Sequence, residues 1–352
     1  MSGVKTLFGK QSGAEVSYNP HKPGRLSHAL YTYFVSHLWS WMSSFLLGSS
    51  TRPPTRRPGL SEVLDSLNKE QLPALVGGDC GSGNEPFIVE LEDRGQPFLF
   101  KLRQSSGVKN MLRRQLARKD RAAPGPCDQG WSAVEDTLRL AGWDRPRRVV
   151  ILRRAAKSDV ALTRRAAEGQ MELLLPDQNV ELWEYAVLVT NSSYPLEAMA
   201  QLYRDRADAE NGFDELKNQW GWGGFTTQDM ERCQSSARAV ALVYNWWSWY
   251  CRAAKPEVRM EAITSRALLL AAVGRATKHA GKTTLYLTPM HAARATLMML
   301  ISNVQAALSH VRTVAEQFPA ADRWKTLLDY IVARIIAPRP QKLLEASALL
   351  AG

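Results

Sequence analysis

YRDRADAENGFDELK, residues Tyr203 to Lys217, is the stretch that decides how this chain is read. Tyr203, Arg206, Glu210 and Lys217 stand at relative positions 1, 4, 8 and 15. On a helix, steps of three, four and seven residues fall on nearly one face. A phenol, a guanidinium, a carboxylate and an ammonium would then share one stripe. That set suits a phosphodiester: the carboxylate holds a metal ion, the cations hold phosphate oxygens, and the phenol donates to another oxygen or packs on sugar. The plainer reading is an amphipathic helix laced with ion pairs, since Arg206 and Glu210, like Arg204 and Asp208, are four apart.

The same residues resemble the Y-(2)-R-(3)-E-(6)-K signature of bacterial insertion-sequence transposases of the DDE type, with all four letters and all three gaps matched. What the resemblance implies is a mixed α/β chain with an RNase H-like core, interrupted by a β-rich insertion and followed by a helical C-terminal region. Glu210 would be the third acid of a catalytic triad. Arg206 and Lys217 would bind phosphate, and Tyr203 would position the strand. The expected cofactor is Mg²⁺ or Mn²⁺ in a two-metal site. The expected partner is double-stranded DNA, both terminal inverted repeats and target, with a homodimer assembled on it.

Phosphoryl-transfer sites of this kind need acids from separate elements, so that two hard cations sit about 3.5–4 Å apart. The run LPALVGGDCGSGNE, Leu72 to Glu85, reads as a strand ending in Asp79 among glycines that would let metal and DNA backbone approach closely. A Gly-Asp turn without function is the simpler reading. The flanking sequence makes Asp79 similar to the second triad aspartate, so Asp79 and Glu210 form the expected catalytic and metal set. In the family the first aspartate precedes a segment like Val4–Arg25, VKTLFGKQSGAEVSYNPHKPGR; here Met1, Ser2 and Gly3 stand in its place. Glu15, Glu62 and Asp65 are not well placed to substitute. The expectation is an N-terminally truncated, impaired copy, or a true start further upstream. A DNA-binding remnant without catalysis and a structure-specific nuclease are the other readings kept.

After Lys217, NQWGWGGFTTQD places Trp220, Trp222 and Phe225 among glycines. They could stack on an unpaired base, or the tryptophans could plug the turn after the helix. Ala237–Arg252 reads as a core helix with Trp246, Trp247 and Trp249 packed inside. His21 and His28 could touch DNA or be ordinary loop residues. The basic runs 109–121 and 145–154 are solvated faces or DNA-backbone contacts.

A formal charge of +11 points to an anionic partner. Cys80, Cys127, Cys233 and Cys251 lie far apart with no CxxC pair, which disfavours a structural zinc site and fits a reducing cytosol. No secretory signal is visible, and the run Tyr31–Leu47 is too short and polar to span a bilayer. A cytoplasmic, DNA-associated protein is expected.

The expected layout is a core from 1–103 and 193–255, an insertion from 104–192 and a helical region from 256–352. Within it, Ser27–Leu47 reads as two paired strands, and Leu60–Lys69 as a helix N-capped by Ser61. Leu72–Val76 reads as a buried run, Pro86–Arg94 as a helix and Pro97–Leu102 as a strand. Residues 104–126 read as irregular. Strands follow at Val134–Leu140, Arg148–Leu152, Met171–Leu175 and Trp183–Thr190. Gly274–Thr288 reads as a loop and Met290–Val311 as an amphipathic helix.

Overall fold

The computed structural model describes residues 2–7, 11, 14–16, 22–31, 33–35, 40–42, 60–65, 67, 69, 72–117, 125–127, 130–155, 183–222, 224, 227–270, 274–287, 294–319 and 322. The chain forms a mixed α/β protein with a central mixed sheet, as the RNase H-like reading requires. It divides into two compact units, one made of Met1–Thr51 with Asp208–Gly352 and the other of Arg52–Ala207.

The first unit opens with β1 (Ser2–Thr6), β2 (Glu15–Val16) and β3 (Leu26–Tyr31), in the sheet order β1-β3-β2. His28 lies fully buried on β3, so neither the loop nor the DNA-contact reading holds for it. His21 lies outside the described residues. β4 (Tyr33–Val35) and β5 (Ser40–Met42) pair antiparallel, as the aromatic and β-branched run suggested.

The second unit is built on six strands. α1 (Leu60–Asp65) carries Ser61 inside its first turn, where the hydroxyl donates to Glu90 rather than capping the helix. β6 (Val76–Gly78) pairs parallel with β7 (Phe98–Lys101) across α2 (Glu85–Asp93). Leu72 is exposed and none of the three residues of β6 is fully buried, so the run before Asp79 is a short strand at the sheet edge and not the buried run expected. Residues 106–117, read as irregular, form α3 (Ser106–Ala117). Val108, Met111 and Leu112 are buried while Lys109, Arg113 and Arg114 face outward. Those three apolar positions, three and four apart, are enough for one helical face; the surrounding basic residues obscured them. β8 (Gly125–Pro126), β9 (Ser132–Leu138), β10 (Arg147–Ala155) and β11 (Trp183–Thr190) complete the order β6-β7-β11-β10-β9-β8. The strands of 132–190 therefore hydrogen-bond into the same sheet as β6 and β7. Met171–Leu175 lies outside the described residues.

That sheet is covered on both faces, which is why its central strands read as almost continuous apolar runs. Leu99, Val150, Leu152, Ala186 and Leu188 pack on Met199 and Ala200 of α4 (Leu196–Arg204). On the alternate positions Phe98 and Phe100 stack with each other at 4.9 Å, and Phe100 stacks on Phe87 of α2 at 5.4 Å. Arg147, 5% exposed, ties α2 to β10. Its guanidinium donates to Glu85 at 2.5 Å and Glu92 at 2.9 Å and lies over the Trp143 ring. Arg145, Arg148 and Arg154 also pair with acids, so this basic run is spent largely within the fold.

The chain then returns to the first unit along α5 (Arg206–Gln219), α6 (Met230–Ala254) and α7 (Ala262–Leu269). β12 (Gly274–His279), β13 (Lys282–Leu287) and α8 (Arg294–Glu316) follow. Phe213, Leu216, Trp222, Met230, Ala237, Ala241 and Tyr244 form one cluster. Ala254, Leu300 and Val304 form another. Only one face of α6 is buried, because Leu242, Val243 and Trp246 are exposed. Trp247 instead packs inward and donates to Ser265 Oγ at 2.8 Å. The segment read as a loop, 274–288, is the hairpin β12–β13. Its two-residue turn, Ala280-Gly281, has φ of 49° and 75°, the doubly positive geometry that suits the twist of a tight hairpin. Alanine there hid the turn from a search for Asn-Gly or Asp-Gly.

Candidate active site

Asp79 follows the last residue of β6, where the chain turns before α2. Its Oδ1 accepts the Gly81 amide at 3.0 Å, and its carbonyl accepts the Ser82 amide at 3.0 Å. Asn84 closes the turn. Its side-chain amide donates to the Gly81 carbonyl at 3.1 Å, and its Oδ1 caps α2 by accepting from Phe87 N at 3.2 Å. This is the Asx-turn and N-cap chemistry that Asp and Asn favour. The carboxylate is left on the exposed rim of the sheet.

The glycines around it differ from one another. A Cβ on Gly78 would lie 2.5 Å from Ser82 Oγ and 2.7 Å from Phe100 Cδ1, and one on Gly83 would lie 3.2 Å from the Lys101 carbonyl. Those two are glycine because the fold leaves no room. Gly77, by contrast, has nothing within 4 Å of an added Cβ. The open approach expected beside Asp79 is therefore supplied by Gly77.

Tyr203 and Arg206 do not share a helix. α4 ends at Arg204, and α5 begins at Arg206 after the single residue Asp205. Asp205 keeps helical dihedrals (φ −58°, ψ −18°), so the interruption is short. The Arg206 guanidinium lies 5.2 Å from the Tyr203 ring centroid, and Tyr203 itself packs against the core cluster of the sheet. The stripe expected from spacing is thus a stacked pair at a helix junction, followed by Glu210 and Lys217 two turns apart on α5.

α5 buries Gly212, Phe213, Glu215 and Leu216 and exposes Glu210 and Lys217. The Lys217 ammonium sits 4.1 Å from the Phe213 ring centroid. Burial pushes its pKa below the usual lysine range, against Asp214, which raises it.

The residue that sequence reading passed over is Glu215, only 4% exposed. Its Oε1 accepts the Ala262 amide at 2.7 Å, and its Oε2 accepts from Arg259 at 2.5 Å and from the Tyr244 hydroxyl at 3.4 Å. Burial raises its carboxyl, against the Ala262 amide, Arg259 and Trp220, which lower it. Burial and the Glu215 charge push the Tyr244 phenol up to about 12. Arg266 adds a second clamp, donating to the Gln219 carbonyl at 2.7 Å at the end of α5 while lying over Trp220. One signal was available: Glu215 falls three residues after Gly212 and beside Leu216, on the apolar face of its helix.

Trp222 is 2% exposed and meets Phe213 edge-on at 5.2 Å. Trp220 is half-buried against Tyr244 and Trp247. Both pack into the cluster at the turn after α5. Phe225 lies outside the described residues. Asp79 belongs to one compact unit and Glu210 to the other.

The sequence model of one family, the transposase DDE domain, matches residues 44–246, more than half of the chain. The chain belongs to that family. The matched stretch of the transposase DDE domain contains Asp79 and the whole of Tyr203–Lys217. Membership gives the chain a transposase function and implies DNA as its substrate. No curated protein sequence matches it. No helix among the described residues is long and apolar enough to cross a membrane.

Proposed function

We propose that this transposase acts as an insertion-sequence enzyme of the Y-(2)-R-(3)-E-(6)-K group, cutting DNA at transposon ends and joining the freed ends to a target. The observation that carries the reading is the exposure of Glu210 and Lys217 on a helix whose opposite face is locked by Glu215. A surface helix that merely solvates its charges needs no such buried anchor.

Among the described residues no group of three acids, histidines or cysteines is poised to hold a metal. The donor chemistry of Asp79 and Glu210 nonetheless fits a hard divalent cation. Both carboxylates are exposed, and Gly77 leaves open space beside the first. Each would serve as a ligand for Mg²⁺ or Mn²⁺, which when bound stabilises charge on the attacking and leaving oxygens of phosphoryl transfer. The chain's own residues do the positioning. Arg206, stacked on Tyr203, presents a planar donor fork to phosphate. Lys217 supplies a second, point-like cation. Tyr203 anchors Arg206 to the sheet core and offers its hydroxyl to the DNA strand.

The test uses a duplex carrying the DNA that flanks the chain's own gene, incubated with Mg²⁺ or Mn²⁺. Cleavage that is lost in Glu210→Gln and in Asp79→Asn, with duplex binding retained in both, supports the reading. Undiminished cleavage by either variant refutes the assignment.

A further inference from the structure

We propose that the ribbon β12–β13 is a contact surface for double-stranded DNA, laid into a groove by the face that carries Arg275, His279, Lys282 and Tyr286. The proposal rests on the reading of this chain as a DNA transposase and extends it to a surface outside the matched domain.

The register decides which side chains share that face. Arg275 pairs with Tyr286, Thr277 with Thr284 and His279 with Lys282. Residues directly opposite in an antiparallel pair point to the same side, and alternate residues along a strand share it. One face therefore gathers six hydrogen-bonding side chains with a cation near each end. Ala276, Lys278 and Thr283 belong to the other.

Charge on the ribbon is of one sign. Residues 274–287 contain Arg275, Lys278 and Lys282 and no aspartate or glutamate. Among the described residues no acid pairs with those three cations. The contrast is with the run 145–154, where Arg145, Arg147, Arg148 and Arg154 all have carboxylate partners. Cationic charge that the fold does not neutralise is what a polyanion recognises.

Shape agrees with charge. Among the described elements each strand packs chiefly on the other. Arg275, Lys278, His279 and Lys282 are exposed, and Tyr286 is 60% exposed. Strands about 4.8 Å apart make a ribbon that a major groove about 12 Å wide admits. A hairpin serving only to join α7 to α8 would gain nothing from an exposed tyrosine flanked by unpaired cations. A two-stranded ribbon is also marginal on its own in water, and contact along a groove would add to its stability.

The experiment measures binding of the full chain to a random-sequence 30-base-pair duplex by fluorescence anisotropy over a salt series. Each phosphate contact contributes about 0.9 to the slope of log K against log salt. The double variant Arg275→Gln/Lys282→Gln should lower the wild-type slope by nearly two and weaken binding at low salt at least tenfold, with an unchanged circular dichroism spectrum. Lys278→Gln, on the other face, should leave the slope nearly as it was. An unchanged slope in the double variant, or an equal fall in Lys278→Gln, overturns the ribbon assignment. Failure of the wild-type chain to bind duplex at low salt would instead overturn the DNA reading on which it rests.

Discussion

Glu215 and Arg259, 44 residues apart in sequence, meet in a 2.5 Å ion pair on the buried side of α5. The Ala262 amide, at the start of α7, completes the cradle from the positive end of that helix. The consequence is rotational. With Glu215 fixed inward, Glu210 and Lys217 are fixed outward. Removing one partner of a buried pair strands a charge, at a cost of about 3–5 kcal/mol; Arg259 is 18% exposed, which places it at the lower end. Arg259→Met should therefore destabilise the first unit by about 3 kcal/mol in urea unfolding. The double variant Glu215→Gln/Arg259→Met should lose less than the sum of the singles. Additive losses would mean that the pair does not act as one.

Two glutamates should give opposite pH slopes. Burial raises the Glu215 carboxyl above its ordinary 4.5, so the folded state keeps a proton that the unfolded chain releases. Fewer protons bound on unfolding makes stability fall as pH rises through the window above 4.5. Burial also pushes Glu92 up, but hydrogen bonds from Arg147 and Arg145 outweigh it and hold its carboxyl below the usual range. Its contribution is present at neutral pH and is lost as pH falls below 4.5. Urea midpoints collected across both windows should lose the first slope in Glu215→Gln and the second in Glu92→Gln. A Glu215→Gln profile parallel to wild type would contradict the burial argument.

Gly77 and Gly78 should respond differently to the same added methyl. Gly78→Ala drives a Cβ into Ser82 and Phe100, and overpacking of this kind costs about 1–3 kcal/mol. Gly77→Ala meets nothing within 4 Å and should be close to neutral. Equal thermal shifts in the two variants would show that the turn carrying Asp79 is not packed as described.

Trp222→Ala separates two roles that the sequence left open. As a core residue it should cost about 3–5 kcal/mol. The fraction that remains folded should then bind DNA normally. A stably folded variant with weakened DNA binding would restore the stacking role.

The α2–β7 unit, the strands β9 to β11 and the long helix α8 could all be read from sequence, because apolar periodicity and glycine punctuation were undisturbed there. α3 was hidden because its three buried residues are interspersed with as many arginines and lysines. The β12–β13 hairpin was hidden because Ala280 occupies a left-handed position normally signalled by Asn, Asp or Gly. In the candidate site, the letters of Tyr203–Lys217 were legible but the break at Asp205 was not, since nothing local demands it. Glu215 was invisible for a different reason: its partners, Tyr244, Arg259 and Ala262, come from two later segments of the chain. Long-range pairing leaves no periodic trace.

The function proposed above makes the exposed carboxylates of Asp79 and Glu210 ligands for a divalent ion. Mn²⁺ affinity, measured by electron paramagnetic resonance for wild type, Asp79→Asn and Glu210→Gln, tests it without requiring turnover. Each single variant should weaken binding at least tenfold. Full wild-type affinity in either single variant would contradict the proposal.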